Sequence, residues 1–266
     1  MTITPIFDPA NSGGRPMRVA AFMSGSGTNI MKLLEHQKAL ASSEGSSPFE
    51  VIFIFSDRSD GMCSGEKIAL DNGIPYFSYD IRAFHQQRSL KRSCLAPEGL
   101  EARRQYDAIA KRLIEAFEID VIALGGYMSY ITLNRCVNVH PADLSIVSAE
   151  GRRVYVGDNA VRDAILAGEK TLRASILWTD DGVDTGPLLM VSEPIPVETS
   201  QAPETLLQDR DRFQAMVDEH QGRLKEAGDW KIFPKTIEMI ARGRFAIDEY
   251  GRVYVDGMDV PYGYRE

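Results

Sequence analysis

The sequence is short of cysteine, histidine and tryptophan, with three, four and two of them in 266 residues. Cys63, Cys94 and Cys136 stand far apart and form no CxxC pair, which excludes a disulfide framework and a cysteine zinc site and points to a reducing compartment. No apolar run approaches the ~18 residues of a membrane span. The opening MTITPIFDPANSGGRPM lacks the charged start and apolar core of a signal peptide. Positive charge is also scarce, since 30 Lys and Arg against 38 Asp and Glu leave a net charge of −8. Broad binding to nucleic acid or an anionic membrane needs a basic face, so any anion has to be met by a local device. The expectation is a cytoplasmic protein with small-molecule partners, no nucleic acid and no membrane, with monomer and homodimer both open.

What is present suits a globular chain. Hydrophobic residues make up 44% and charged residues 26%, enough apolar material for one large domain or two small ones. Residues 1–16 read as a flexible Pro/Gly-rich leader, and residues 17–266 as a single domain without internal repeats or a dividing linker. Arg18 to Met23 is a short apolar strand, SGSGTN a loop, and Ile30 to Leu40 carries helical spacing. Val51 to Phe55 is a second buried strand. A helix from Gly65 to Asp71 stops at Asn72-Gly73, and IPYFSYD supplies a third strand. The charged segment Pro97 to Phe117 is helical, with Tyr106, Ile109, Leu113, Ile114 and Phe117 as its inward stripe, and DVIALG is the strand after it.

Further on, Val137 to Val139, Ala174 to Trp178 and Leu188 to Ile195 read as strands, and Asn159 to Gly168 as a helix. Glu204 to Ala227 is a long polar helix and Lys235 to Arg242 a shorter one, before a hairpin over Phe245 to Val255 that turns at Tyr250-Gly251. Strands buried on both faces, alternating with helices, predict an α/β fold of the Rossmann-like, doubly wound kind. Its mostly parallel sheet is flanked by helices, with ligands at the carboxyl ends of the strands.

Three places stand out for chemistry. In Ser24-Gly25-Ser26-Gly27-Thr28-Asn29, between a strand and a helix, the glycines let backbone approach a ligand, and the free N–H groups of the helix start can hold an oxyanion. A tight turn with a helix cap is the structural alternative, and the lysine of a nucleotide-binding P-loop is missing. In Cys136-Val137-Asn138-Val139-His140-Pro141, alternation puts Asn138 and His140 on one side of a strand that the proline ends. A lone histidine is more often a hydrogen-bonded structural residue, but a buried strand end is where α/β enzymes carry their sites. In Asp180-Asp181-Gly182-Val183-Asp184-Thr185-Gly186-Pro187 the spacing of oxygens does not suit calcium, and the turn is either a plain solvent-facing one or a source of one carboxylate for a neighbouring histidine.

Taken in order, SGSGTN, GGYMSYI after DVIAL, NVHP and DDGVDTGP resemble the folate-dependent formyltransferases, most closely the branch of purine synthesis that acts on glycinamide ribonucleotide. The helix segment ARRQYD and the tail IFPKTIEMIARGRF with DGMDVPYGY extend the resemblance over about residues 17 to 264. It implies formyl transfer from 10-formyltetrahydrofolate, a co-substrate, to the amine of 5′-phosphoribosylglycinamide, without a metal. It also implies a catalytic trio of Asn138, His140 and Asp184, and a 5′-phosphate site at Gly27, Thr28 and Asn29. Folate would be bordered by Arg103, Met128, Ser129, Tyr130, Ile131 and Asn138. Two features depart from the family pattern: a different, charged loop over residues 142–157, and Ser129 where close relatives carry arginine. They keep open another small phosphorylated amine as acceptor, or folate binding without turnover.

Overall fold

The computed structural model describes residues 2–90, 94, 96–199, 205 and 207–266, and the chain divides into two compact units, Phe7–Asn138 and Met1–Ile6 with Val139–Glu266. In the Phe7–Asn138 unit the parallel strands run in the order β4 (Tyr76–Ser78), β3 (Phe49–Ser56), β2 (Met17–Met23), β5 (Val121–Leu124) and β6 (Cys136–His140, entering through its first three residues). Strand β2 is almost wholly buried because helices cover both faces of such a sheet, which is why it reads as a continuous apolar run. The core is aromatic, built on Phe22, Phe53, Phe55, Phe84, Tyr106 and Tyr127, with the Phe22 and Phe55 rings 4.8 Å apart.

Strand order reverses between β2 and β5, and the crevice at their carboxyl ends is the place where this topology holds ligands. After β2 comes the glycine loop and α1 (Thr28–Glu44), six residues longer than the apolar spacing alone marked, and α2 (Gly65–Asn72) follows β3. Helix α3 (Ile81–Gln87) is capped by the Asp80 carboxylate, which accepts from the Arg82 and Ala83 N–H groups. Helix α4 (Pro97–Ala116) differs from its expected stripe. It buries Ala102, Arg103, Tyr106, Asp107, Ala110 and Ile114, while Ile109 is 37% exposed. The stripe follows two charged side chains that neutralise each other, and apolar spacing alone does not reveal that.

Residues 2–16 make specific contacts. Asp8 caps a 3₁₀ turn at Pro9–Asn11, and Arg15 makes a two-pronged contact with Asp120 at 2.6 and 2.9 Å. Residues up to Ile6 belong to the other unit, where β1 (Ile3–Pro5) pairs antiparallel with β11 (Phe245–Asp248). Strands β11, β12 (Val253–Val255) and β13 (Met258–Asp259) complete a four-stranded antiparallel sheet that contains the expected hairpin.

The Val139–Glu266 unit also holds α5 (Ala160–Leu166), the antiparallel pair β8 (Ser175–Trp178) and β9 (Leu188–Val191), and the short pair β7 (Thr171–Leu172) and β10 (Ile195–Pro196). The polar helix expected from residue 204 begins outside the described residues. Its described part is α6 (Arg210–Leu224), which buries Phe213, Val217, His220 and Leu224, so it is not polar all round. A π-helical turn at Lys225–Asp229 leads into α7 (Trp230–Ala241), an almost fully buried helix five residues longer at its start than its expected length. Among the described residues no helix is long and apolar enough to cross a membrane.

Candidate active site

His140 closes β6 with 4% of its surface exposed, and alternation along the strand turns Asn138, half-buried, to the same side. The His140 Nδ1 atom lies 3.4 Å from Asp184 Oδ2, and Nε2 lies 2.9 Å from the carbonyl oxygen of Tyr155. Both neighbours are acceptors, so a ring with hydrogen on each nitrogen satisfies both contacts. Asp184 Oδ2 also accepts from the Gly157 N–H at 2.8 Å, leaving the carboxylate fixed and only 10% exposed.

The turn carrying Asp184 sorts its three aspartates. Asp180 Oδ1 accepts from the Gly182 N–H at 3.0 Å and the Thr185 hydroxyl at 2.7 Å, closing the turn on itself. Asp181 is exposed, and Asp184 takes a left-handed backbone, φ +54°, which aspartate tolerates better than most residues. Gly186 has no substitute here, because a Cβ would sit 1.9 Å from the Trp178 carbonyl oxygen. Arg153 donates to the carbonyl oxygens of Asp184 and Gly186, the latter at 2.7 Å. Burial lowers its pKa more than the nearby Asp180 and Asp184 raise it.

The other expected residues lie in the Phe7–Asn138 unit. Gly27, at φ +68°, starts α1, and a Cβ there would meet Met23 Cε at 2.5 Å and Ile68 Cδ1 at 2.6 Å. No acidic residue occupies the first turn of this 17-residue helix, and no side chain caps its start, so its N–H groups and dipole present a positive end at Thr28 and Asn29. Asn29 is 5% exposed, and its side-chain oxygen has no hydrogen-bond partner among the described residues.

The segment Met128–Ile131 stands beside this loop. The Met128 N–H donates to Ser24 Oγ at 2.9 Å, and the Ser24 N–H donates to the Gly126 carbonyl at 3.0 Å. Met128 is 68% exposed, Ile131 is buried, and the Ser129 hydroxyl donates to Asp57 Oδ2, while Asp57 Oδ1 is buried without a hydrogen-bond partner among the described residues. Arg103 is not at the surface. It is 1% exposed, 3.2 Å from Asp107, with Nη2 donating to the Tyr127 hydroxyl at 3.1 Å and the guanidinium over the Tyr106 ring. Asp107 accepts from the Thr132 N–H at 2.7 Å and hydroxyl at 2.8 Å, so this ion pair grips residues 127 and 132, the two flanks of the segment. Burial raises the Asp107 pKa despite Arg103 and Thr132.

Sequence reasoning did not single out Asp57, Asp107, Arg153 or Gly157. Asp57 had a signal, since it follows β3 at a strand's carboxyl end. Arg153 and Gly157 lie in a loop whose path no periodicity sets.

The sequence profile described as formyl transferase matches residues 17–217. The trifunctional purine biosynthetic protein adenosine-3 of Drosophila melanogaster is 26% identical over 236 residues, 86% of this chain and 14% of that protein. The chain thus spans a small part of the first such relatives, 14% to 20% of their length. A phosphoribosylglycinamide formyltransferase of Mycobacterium tuberculosis is 26% identical over 198 residues, 72% of this chain and 76% of its own. In fold, the phosphoribosylglycinamide formyltransferase of Coxiella burnetii in complex with CHES is similar at a TM-score of 0.66 and 22% identity, covering 94% of this chain and 99% of that one.

Proposed function

The chain belongs to the formyl transferase family, and from that premise we propose that it transfers a formyl group from 10-formyltetrahydrofolate to the amine of 5′-phosphoribosylglycinamide, a step of purine biosynthesis. The observation that carries this reading is the buried His140–Asp184 pair at the end of β6, fixed by the Gly157 N–H. The amine nitrogen attacks the formyl carbon, negative charge grows on the formyl oxygen, the bond from that carbon to the folate nitrogen breaks, and a proton moves from the amine to the leaving nitrogen. Asn138 donates to the formyl oxygen. His140, with hydrogen on both nitrogens, stabilises the same charge, Nε2 exchanges the Tyr155 carbonyl for the substrate to give its proton to the leaving nitrogen and take one from the amine, and Asp184 holds the ring at Nδ1.

Gly27, Thr28 and Asn29 hold the 5′-phosphate, supported by a helix N-terminus free of acidic side chains in a chain of net charge −8. Met128, Ser129, Tyr130, Ile131 and Asn138 border the folate. The fit to a donor-rich pterin is supported by the buried, unpartnered Asp57 oxygen beside Ser129. Arg103 serves from behind, because with Asp107 it holds both flanks of that segment. The reading is of a cytoplasmic enzyme, monomeric or homodimeric.

The test is turnover of purified protein with 10-formyltetrahydrofolate and 5′-phosphoribosylglycinamide, followed by release of tetrahydrofolate, with His140→Ala alongside. Turnover that collapses in the variant supports the reading. Equal rates in both proteins overturn the mechanism, turnover only with another phosphorylated amine overturns the acceptor, and folate binding by calorimetry without any product overturns the enzyme.

A further inference from the structure

The loop over residues 142–157 carries a short hairpin between residues 146 and 154. Val147 and Arg153 form an antiparallel bridge, the Ser148 N–H donates to the Arg152 carbonyl at 2.8 Å, and the Tyr155 hydroxyl donates to Glu169 at 2.7 Å. Three alternate residues of its returning arm meet the His140–Asp184 pair: the guanidinium of Arg153, the carbonyl of Tyr155 and the N–H of Gly157. Resting on the formyl-transfer reading above, we propose that Arg153 is a positioning residue for Asp184: by spanning the carbonyls of residues 184 and 186 it locks the left-handed turn that aims the carboxylate at His140.

Four observations carry this. Asp184 holds φ +54°, a backbone state that persists only where its surroundings impose it. Packing braces the turn at Gly186 and through Asp180, yet a cavity of about 890 Å³ is lined by Asp180, Thr185 and Gly186, with Arg153 in the same wall, so the turn has room to relax where Arg153 spans it. Arg153 is half-buried and, among the described residues, has no carboxylate at ion-pair distance, so its two short contacts to backbone carbonyls are what its desolvated charge is used for. The two carbonyls lie two residues apart, which suits a planar fork and not the single point charge of a lysine.

The test is steady-state kinetics of Arg153→Ala and Arg153→Lys, each also combined with Asp184→Asn, together with NMR of ¹⁵N-histidine-labelled protein. Arg153→Ala is expected to lower kcat by about 10- to 100-fold, the scale of a misplaced catalytic group, with both KM values nearly unchanged. Lysine should restore little and added guanidinium part of the loss. In the Asp184→Asn background the same change should cost clearly less than in the wild type, since the charge that Arg153 aims is gone and only the amide's hydrogen bond to the ring remains to be positioned. The His140 Nδ1–H signal should broaden into solvent exchange in Arg153→Ala. That last arm needs no turnover, so it judges the clamp even if the wild-type protein fails to transfer formyl groups. Rates in Arg153→Ala within twofold of wild type, full restoration by lysine, losses that multiply with Asp184→Asn, or an unchanged Nδ1–H signal would each overturn the assignment. A variant that fails to fold is replaced by Arg153→Lys, for which the same split and the same signal decide.

Discussion

Asp184→Asn is the substitution whose effect the geometry specifies most closely. The carboxylate oxygen is 3.4 Å from His140 Nδ1, and the pair is 10% and 6% exposed. With an effective dielectric of ~20, unit charges at that separation attract by about 5 kcal/mol. A neutral amide in the same place keeps a hydrogen bond to the ring but not the charge, which leaves about half of that sum lost as the imidazolium does its work. A loss of ~2–3 kcal/mol corresponds to about 30- to 150-fold in kcat. Asparagine has the volume of aspartate and its oxygen can still accept from the Gly157 N–H, 2.8 Å from the carboxylate, so the fold stays intact and unfolding registers only the attraction lost from the resting pair. The assay is kcat and both KM values from tetrahydrofolate release, with thermal unfolding as the control. A kcat within threefold of wild type at an unchanged unfolding midpoint would refute the reasoning, and so would a loss carried wholly by KM.

Three further outcomes are expected. Gly27→Ala forces a Cβ into Met23 and Ile68 at a φ of +68°, and should destabilise the protein by ~1–3 kcal/mol in urea unfolding while raising KM for the phosphorylated amine more than for folate. Asp107→Ala leaves the Arg103 charge buried alone and should lower stability by ~3–5 kcal/mol, while Asp107→Ala with Arg103→Leu should recover much of it. Asp120 has its pKa held down by Arg15 and the Arg18 N–H, although burial pulls the other way. A depressed folded pKa means stability present above the ordinary carboxylate range near 4 and lost as pH falls through the lowered value. Asp120→Asn should therefore cost ~0.5–1 kcal/mol at neutral pH after solvent screening, with the difference vanishing in acid, as read by pH-dependent chemical denaturation. A constant difference down to pH 2 would contradict it.

The residues legible in advance share a property. Strands β2, β3 and β5, the glycine loop, and the shared side of Asn138 and His140 all follow from period-2 and period-3.6 patterns and from glycine at helix starts, which operate over a few bonds. The stripe of α4 departs from its apolar spacing at Ile109 because an internal ion pair, Arg103 with Asp107, takes the place of apolar residues. Composition at the start of the chain does not show a strand partner more than 240 residues away, where Ile3 pairs with Asp248.

For the site, the sequence by itself determined that a histidine ends a buried strand and that an aspartate-rich turn follows another. Only the tertiary structure decided that Asp184 meets the ring while Asp180 braces the turn and Asp181 faces solvent. It also decided that Arg153 and Gly157 stand behind that aspartate, and that Arg103 is sealed beneath the Met128–Ile131 segment rather than presented at the surface. The reason is physical. Periodicity constrains neighbours along the chain, whereas His140 and Asp184 are 44 positions apart, and the path of the chain between them is set by packing and hydrogen bonds that no local pattern encodes.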